Sequence, residues 1–237
     1  MYALITGASR GIGAAAARRL AADGYTVLIH CCRRTDLAEA LAAELQGYAL
    51  SADFSSLSGA DRLADVVLSR FGTPDLLVNN AAVSLTGLFQ EIPDADAEAL
   101  FSVNILSMMR LTKRLLPGMI AKQHGSIINI ASVWGETGAS CEVHYSASKA
   151  AVIGFTKALA QEVGPSGIRV NCVSPGVIDT DMNRMHSAET MQQLAEETPL
   201  CRIGTPEEAA EAIAFLASGS ARFITGQVLS VNGGFHT

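Results

Sequence analysis

Short apolar runs recur from one end of the chain to the other, and Ala-rich stretches with helical spacing separate them. The runs at 2–6, 26–30, 48–52, 76–79, 126–131, 169–174 and 227–231 are nearly all apolar. They read as parallel strands buried on both faces. Amphipathic spacing predicts helices at about 11–22, 37–45, 60–71, 95–120, 146–163 and 206–217. The last opens Thr205-Pro206-Glu207-Glu208, an N-cap followed by Pro at the first helical position and acids in the first turn. Alternation of this kind, with right-handed crossovers, predicts an α/β fold: a doubly wound sheet with helices on both faces. No repeat or Pro/Ser-rich linker interrupts it, so a single domain over 1–237 is expected.

One excursion breaks the rhythm. Residues 177–204 separate the last two strands, carry Met182, Met185 and Met191, and have helical spacing at 190–197. Ligands of parallel sheets sit beyond the carboxyl ends of the strands. An insertion leaving that edge is expected to form a substrate lid.

Composition narrows the class. Of 237 residues, 49% are apolar and 17% charged, enough for a large core and against disorder. Seventeen Lys and Arg against 23 Asp and Glu give a net charge of −6, which disfavours nucleic acid and anionic membranes as partners. No apolar run is long enough to span a bilayer, and the strand at 2–6 leaves no room for a targeting segment. The five cysteines (Cys31, Cys32, Cys141, Cys172, Cys201) show no metal-ligand spacing and suit reduced thiols. A cytoplasmic chain without a metal is expected.

The first strand runs into Thr6-Gly7-Ala8-Ser9-Arg10-Gly11-Ile12-Gly13, which opens the first helix. Glycines there permit a tight turn and close approach to a pyrophosphate, and the helix N-terminus offers N–H donors. The spacing is G-x-x-x-G-x-G, a variant of the usual dinucleotide fingerprint. After the second strand, Cys32-Arg33-Arg34 replaces the acid that would hold a ribose 2′-hydroxyl, and Arg10 lies in the turn itself. These cations favour a 2′-phosphate, hence NADPH (NADP).

Tyr145 and Lys149 lie one helical turn apart. A phenol has an unperturbed pKa near 10, and a neighbouring ammonium is expected to lower it. The pair can then pass a proton to a carbonyl oxygen. Ser132 closes the strand at 126–131, on the edge where ligands gather, and its hydroxyl can hold the same oxygen.

With these pieces in place the chain resembles the short-chain dehydrogenase/reductase family. The matching segments are TGASRGIG at 6–13, Asp53, NNAA at 79–82, Asn104, Ser132, YSASK at 145–149, PGVIDT at 175–180 and VNGG at 231–234. The resemblance implies a Rossmann-type sheet of about seven parallel strands, a nicotinamide cofactor and a catalytic tetrad of Asn104, Ser132, Tyr145 and Lys149. Tyr145 would be the acid/base, Ser132 the carbonyl-orienting group, and Lys149 the group that binds the nicotinamide ribose and lowers the Tyr145 pKa. Asn104 would hold a water in a relay toward Lys149. The implied cofactor contacts are Gly7, Ser9, Arg10, Gly11, Ile12, Gly13, Arg33, Asp53 at the adenine, Asn80 and Ala81, Tyr145 and Lys149, and Pro175, Gly176, Val177, Ile178 and Thr180 toward the nicotinamide. Ala82 stands where the family usually has Gly.

Within the family the chain looks most like 3-oxoacyl-acyl-carrier-protein reductases, so a small-molecule or carrier- or protein-linked ketone is the implied substrate. Gln123 and Ser166, neutral here, match positions where such reductases often carry basic residues to dock an acidic carrier. The stretch 132–145 also resembles reductases of a 5-aminopentanone group on elongation factor P, for which Glu136 or Glu142 could pair with the cation. A xenobiotic ketone reductase is a further reading. A different class, a non-catalytic dinucleotide sensor on the same fold, is disfavoured by the complete Ser132/Tyr145/Lys149 set. Relatives on this fold usually form homotetramers through helices at about 95–120 and 146–163. The small-residue face Ala150, Ala151, Ile153, Gly154 and Ala158 would suit that packing or the sheet. The five histidines (His30, His124, His144, His186, His236) need no base or metal role, although His144 adjoins Tyr145.

Overall fold

A computed structural model describes residues 1–183 and 187–237. Seven strands form one sheet: β1 (Tyr2–Ile5), β2 (Thr26–Cys31), β3 (Tyr48–Ser51), β4 (Leu76–Asn79), β5 (Gly125–Ile130), β6 (Ile168–Pro175) and β7 (Val228–Val231). Every pairing is parallel, in the order β3-β2-β1-β4-β5-β6-β7. The expected Rossmann-type architecture is therefore present. The helices are α1 (Gly11–Ala22), α2 (Thr35–Leu45), α3 (Leu57–Phe71), α4 (Asp94–Phe101), α5 (Ser107–Lys122), α6 (Val133–Thr137), α7 (Val143–Val163), α8 (Ala188–Glu197) and α9 (Pro206–Ala217).

The period-2 pleat explains the layers. Ala3 and Ile5, Val27 and Ile29, Leu76 and Val78, and Ile128 and Ile130 point into one core, closed by α1, α2 and α9. Their neighbours Leu4, Leu28, Leu77 and Ile127 point into the opposite core, closed by α3, α5 and α7. Both faces are covered, which is why the strands are apolar at nearly every position. The N-cap expected at Thr205 is present, and the Glu208 side chain closes it into a capping box.

The helix expected over 95–120 is not continuous. A π-helical turn at Ser102–Leu106 separates α4 from α5. Periodicity cannot report one inserted residue, because the flanking apolar spacing survives on either side of it. Helix α6 is a further element not expected from the sequence. Of the 177–204 excursion, the described residues form a short turn at Asp181–Asn183 and α8, whose N-cap is Ser187. Met185 and His186 lie outside the described residues.

Candidate active site

The turn between β1 and α1 is built around glycine. Gly7 and Gly11 have φ of +63° and +56°. A Cβ on Gly7 would lie 2.8 Å from the Ala81 Cα, and one on Gly13 would lie 2.6 Å from both the Asn80 side-chain amide and the Gly7 carbonyl. Side chains there would push β4 and α1 apart. Asn80 clasps the turn, donating from Nδ2 to the carbonyls of Thr6 (2.9 Å) and Gly7 (3.0 Å), while the Thr6 hydroxyl accepts from the backbone N–H groups of Asn80 and Ala81. Ile12 packs against the α1-side core and Ser9 is half-buried. Helix α1 has no side-chain cap and no acid in its first turn. Its first N–H groups and positive dipole end suit the phosphates of a dinucleotide.

His30 completes this turn, a role its sequence position did not disclose. Its Nδ1 accepts from Gly7 N–H at 3.2 Å, so Nε2 carries the proton and donates to the Ala52 carbonyl at 3.1 Å. The ring stacks on Phe54 at 4.4 Å. Burial holds its pKa down to about 4, with the Ala52 bond only partly opposing.

After β3, Asp53 forms the turn into α3, accepting from Ser55 N–H at 2.8 Å. That bond and the Ser55 side chain hold its carboxyl below the usual range. Two of the three expected cations have carboxylate partners. Arg10 meets Asp181 at 3.1 Å, and Arg34 bonds Asp36 through two nitrogens. Arg33 is exposed beside Asp53 and Cys32.

Farther along the sheet, β5 delivers Ser132 to the carboxyl edge, where it is the N-cap of α6 and accepts from Trp134 N–H at 3.2 Å. Helix α7 begins at Val143, so Tyr145 and Lys149 share one face of its first turns. Both are buried. Burial pushes the Tyr145 phenol up to about 12, with the Ser132 hydroxyl pulling it down and Glu142 pushing it further up. The direction is opposite to the lowering expected from Lys149, because desolvation outweighs an ammonium that is itself desolvated. Lys149 is pushed down to about 8 by burial, Cys172 opposing, and its Nζ donates to the Ile130 carbonyl at 2.8 Å.

Asn104 lies in the π-helical turn. Its Oδ1 accepts from Val83 N–H, and its Nδ2 donates to the Val83 carbonyl and to the Ser148 hydroxyl, which donates to the Tyr145 carbonyl. Both amide hydrogens are engaged, so the side chain ties the loop after β4 to α7. Asn79, one residue before the clasp, is buried and bonds Thr112 and Asn129.

The segment after β6 crosses back over the glycine turn. Gly176 donates to the Val231 carbonyl and abuts Asn232 of the VNGG ending, where a Cβ would come within 2.8 Å. Val177 and Ile178 pair with Gly204, and the Thr180 methyl comes within 3.4 Å of a Cβ built on Gly11. Thus the end of 175–180 packs beside the glycine turn, and Arg10 of that turn reaches Asp181 just beyond it.

The structure also places three groups that the sequence singled out. Gln123 and Ser166 precede β5 and β6, on the edge opposite Ser132, so within one chain they do not line the mouth. Glu136 is exposed, and its Oε1 accepts from the hydroxyls of Ser174 and Ser230. On the small-residue face of α7, Ala150, Ala151, Gly154 and Ala158 are exposed, while Ile153 is half-buried against the cluster of Ile105, Met108 and Val152. Among the described residues no group of three or more His, Cys, Asp or Glu is placed to hold a metal. No helix of the described residues is long and apolar enough to cross a membrane.

A parallel sheet with a glycine turn facing a Tyr/Lys helix defines a dinucleotide-binding oxidoreductase. A family model described as enoyl-(acyl carrier protein) reductase matches residues 7–236. The uncharacterized oxidoreductase YmfI of Bacillus subtilis is 43% identical over 240 residues, 99% of this chain and 98% of that protein. Nodulation protein G of Rhizobium sp. is 42% identical, covering 98% of this chain and 95% of that protein. The 3-oxoacyl-[acyl-carrier-protein] reductase FabG of Escherichia coli is 40% identical over 236 residues, 99% of this chain and 96% of that protein. The chain belongs to the short-chain dehydrogenase/reductase family, in its FabG-like branch.

Proposed function

We propose that this protein reduces a ketone to a secondary alcohol with NADPH, and that its substrate is a 3-oxoacyl thioester like that named for its FabG relatives. The observation that carries the reading is the Ser132 hydroxyl bonded to the Tyr145 phenol, with Lys149 one helical turn on, at the same carboxyl edge of the sheet as the Gly7–Gly13 turn. When bound, the nicotinamide supplies hydride to the carbonyl carbon. Tyr145 holds a proton for the carbonyl oxygen, and a phenol kept protonated by burial is in the correct state to give it. Ser132 orients that oxygen. Lys149 binds the nicotinamide ribose and favours the phenolate left behind. Asn104 sets the spacing of α7 against the loop after β4, and any water relay runs past its occupied side-chain amide.

Gly7, Ser9, Arg10, Gly11, Ile12 and Gly13 cradle the pyrophosphate. Arg33, with Arg10, takes the 2′-phosphate. Asp53, Asn80 and Ala81 face the adenosine half, and 175–180 the carboxamide. Residues 177–204 act as the lid of a single domain, and the exposed small-residue face of α7 supports a homotetramer. The setting is cytoplasmic.

The test presents acetoacetyl carrier protein or acetoacetyl-CoA, and separately aminopentanone-modified elongation factor P, with NADPH and with NADH. Turnover of the thioester with NADPH supports the reading. Turnover of the modified factor alone moves the substrate to the second reading. Binding of dinucleotide without reduction of any ketone supports a sensor.

A further inference from the structure

We propose that Glu136 is a positioning residue: its carboxylate anchors α6, and through it Ser132, to the ends of β6 and β7. The kinetic consequence rests on the proposed ketone reduction, whereas the anchoring rests on the geometry of α6 alone.

Helix α6 has five residues. A helix so short has no stability of its own, since nucleation is costly and its one cap bond contributes only about 1 kcal/mol. Tertiary anchors must hold it, and the described residues supply four, the first being the buried side chain of Val133. Gly135 lies directly on α7, where a Cβ would come within 2.7 Å of the Lys149 carbonyl carbon. Trp134 meets Phe235 edge to face at 5.4 Å. Glu136 Oε1 accepts from the fully buried Ser174 hydroxyl and, at 3.3 Å, from Ser230.

These anchors are not equivalent. The Gly135 contact limits how closely α6 approaches α7 but does not hold it there. The Trp134 contact is with the chain's ending. Among the described residues, Glu136 supplies the side-chain hydrogen bonds from α6 to the sheet, strengthened by its charge. Ser132 stands at the pivot of this short helix, with its carbonyl accepting from Gly135 N–H and its hydroxyl from Trp134 N–H. Without the tie, α6 turns about its N-cap and carries the Ser132 hydroxyl away from Tyr145. Glu136 touches no reacting atom; it acts by fixing where Ser132 points.

The chain's single tryptophan, Trp134, lies inside α6, so its fluorescence reports this helix and its contact with Phe235. The experiment compares the full-length protein with Glu136→Ala, Glu136→Gln, Ser174→Ala and the Glu136→Ala/Ser174→Ala double variant. It reads Trp134 emission and acrylamide quenching, NADPH affinity, and kcat and KM for acetoacetyl-CoA. Glu136→Ala is expected to red-shift and expose Trp134 and to lower kcat about tenfold or more, the scale at which misplacement of a catalytic group is felt. NADPH affinity stays within about twofold, because a uniform binding loss is not the mechanism. Glu136→Gln, whose amide oxygen still accepts from both serines, restores emission and most of kcat. The double variant is no worse than Glu136→Ala, since both changes remove one interaction.

Unchanged emission and kcat in Glu136→Ala overturn the proposal, as does a Gln variant as impaired as Ala. If Glu136→Ala does not fold, Ser174→Ala is read in its place and must show the same shift. If the unmodified protein reduces no ketone, the proposed function fails. The Trp134 shift and its reversal by Gln still uphold the anchor, and their absence still sinks it.

Discussion

The Lys149 ammonium lies 5.6 Å from the centre of the Tyr145 ring, yet its hydrogen bond goes to the Ile130 carbonyl. Each group is driven by burial toward its neutral form, the phenol up to about 12 and the ammonium down to about 8. The pair thus stores a proton on oxygen while keeping the lysine close to its own titration point. That state suits reduction, in which the phenol gives its proton and the remaining phenolate needs a cation beside it.

A pH dependence follows. Lys149 is charged below about 8 and neutral above it. Ketone reduction should therefore hold near neutral pH and fall as pH rises through about 8, in the kcat profile of NADPH oxidation. Lys149→Met should remove that limb along with most of the rate.

Tyr145→Phe deletes the proton donor and leaves the apolar ring. Turnover should drop by roughly 10²–10⁴, the range that general acid catalysis supplies. Titration of the variant with NADPH by dinucleotide fluorescence should show affinity close to that of the unmodified protein.

His30 links acid stability to the glycine turn. Its folded pKa is about 4, against 6.5 unfolded. The lowered value means its stabilising contribution is complete above about 6.5 and is lost as pH falls toward 4, amounting to about 3 kcal/mol. Protonation would place a second N–H against Gly7 N–H, so NADPH affinity should weaken over the same interval. Melting temperature and NADPH titrations from pH 7 to 4 check this, with His30→Gln flattening both curves.

Gly13→Ala should separate α1 from β4, because its methyl would lie 2.6 Å from Asn80 Nδ2 and the Gly7 carbonyl. Overpacking of this kind costs about 1–3 kcal/mol, and loss of dinucleotide binding should accompany the drop in melting temperature.

Arg33 is exposed beside Asp53, while Arg10 and Arg34 already face Asp181 and Asp36. Arg33→Ala should weaken NADPH binding by about tenfold, one lost charge-assisted contact, with NADH binding little changed. Calorimetric titration of both dinucleotides decides it.

Much of this molecule was determined locally, and local sequence was enough to read it. Alternation of apolar side chains set strand faces, so Leu4 and Ile5 went to opposite cores as a pleat requires. Helical spacing placed Tyr145 over Lys149, and the glycines at 7, 11 and 13 marked a turn that tolerates no side chain at two of them. These features depend on backbone geometry within a few residues.

What tertiary structure decided depends on partners far along the chain. His30 became part of the glycine turn only when β2 came beside β1, and Asn104 was engaged by Val83 and Ser148 across a π-helical turn that conserves the apolar spacing around it. Glu136 found Ser174 and Ser230, 38 and 94 residues away. The sign of the Tyr145 shift reversed for the same reason. Spacing reveals a neighbouring charge, but only the packed fold determines how much water is left around it.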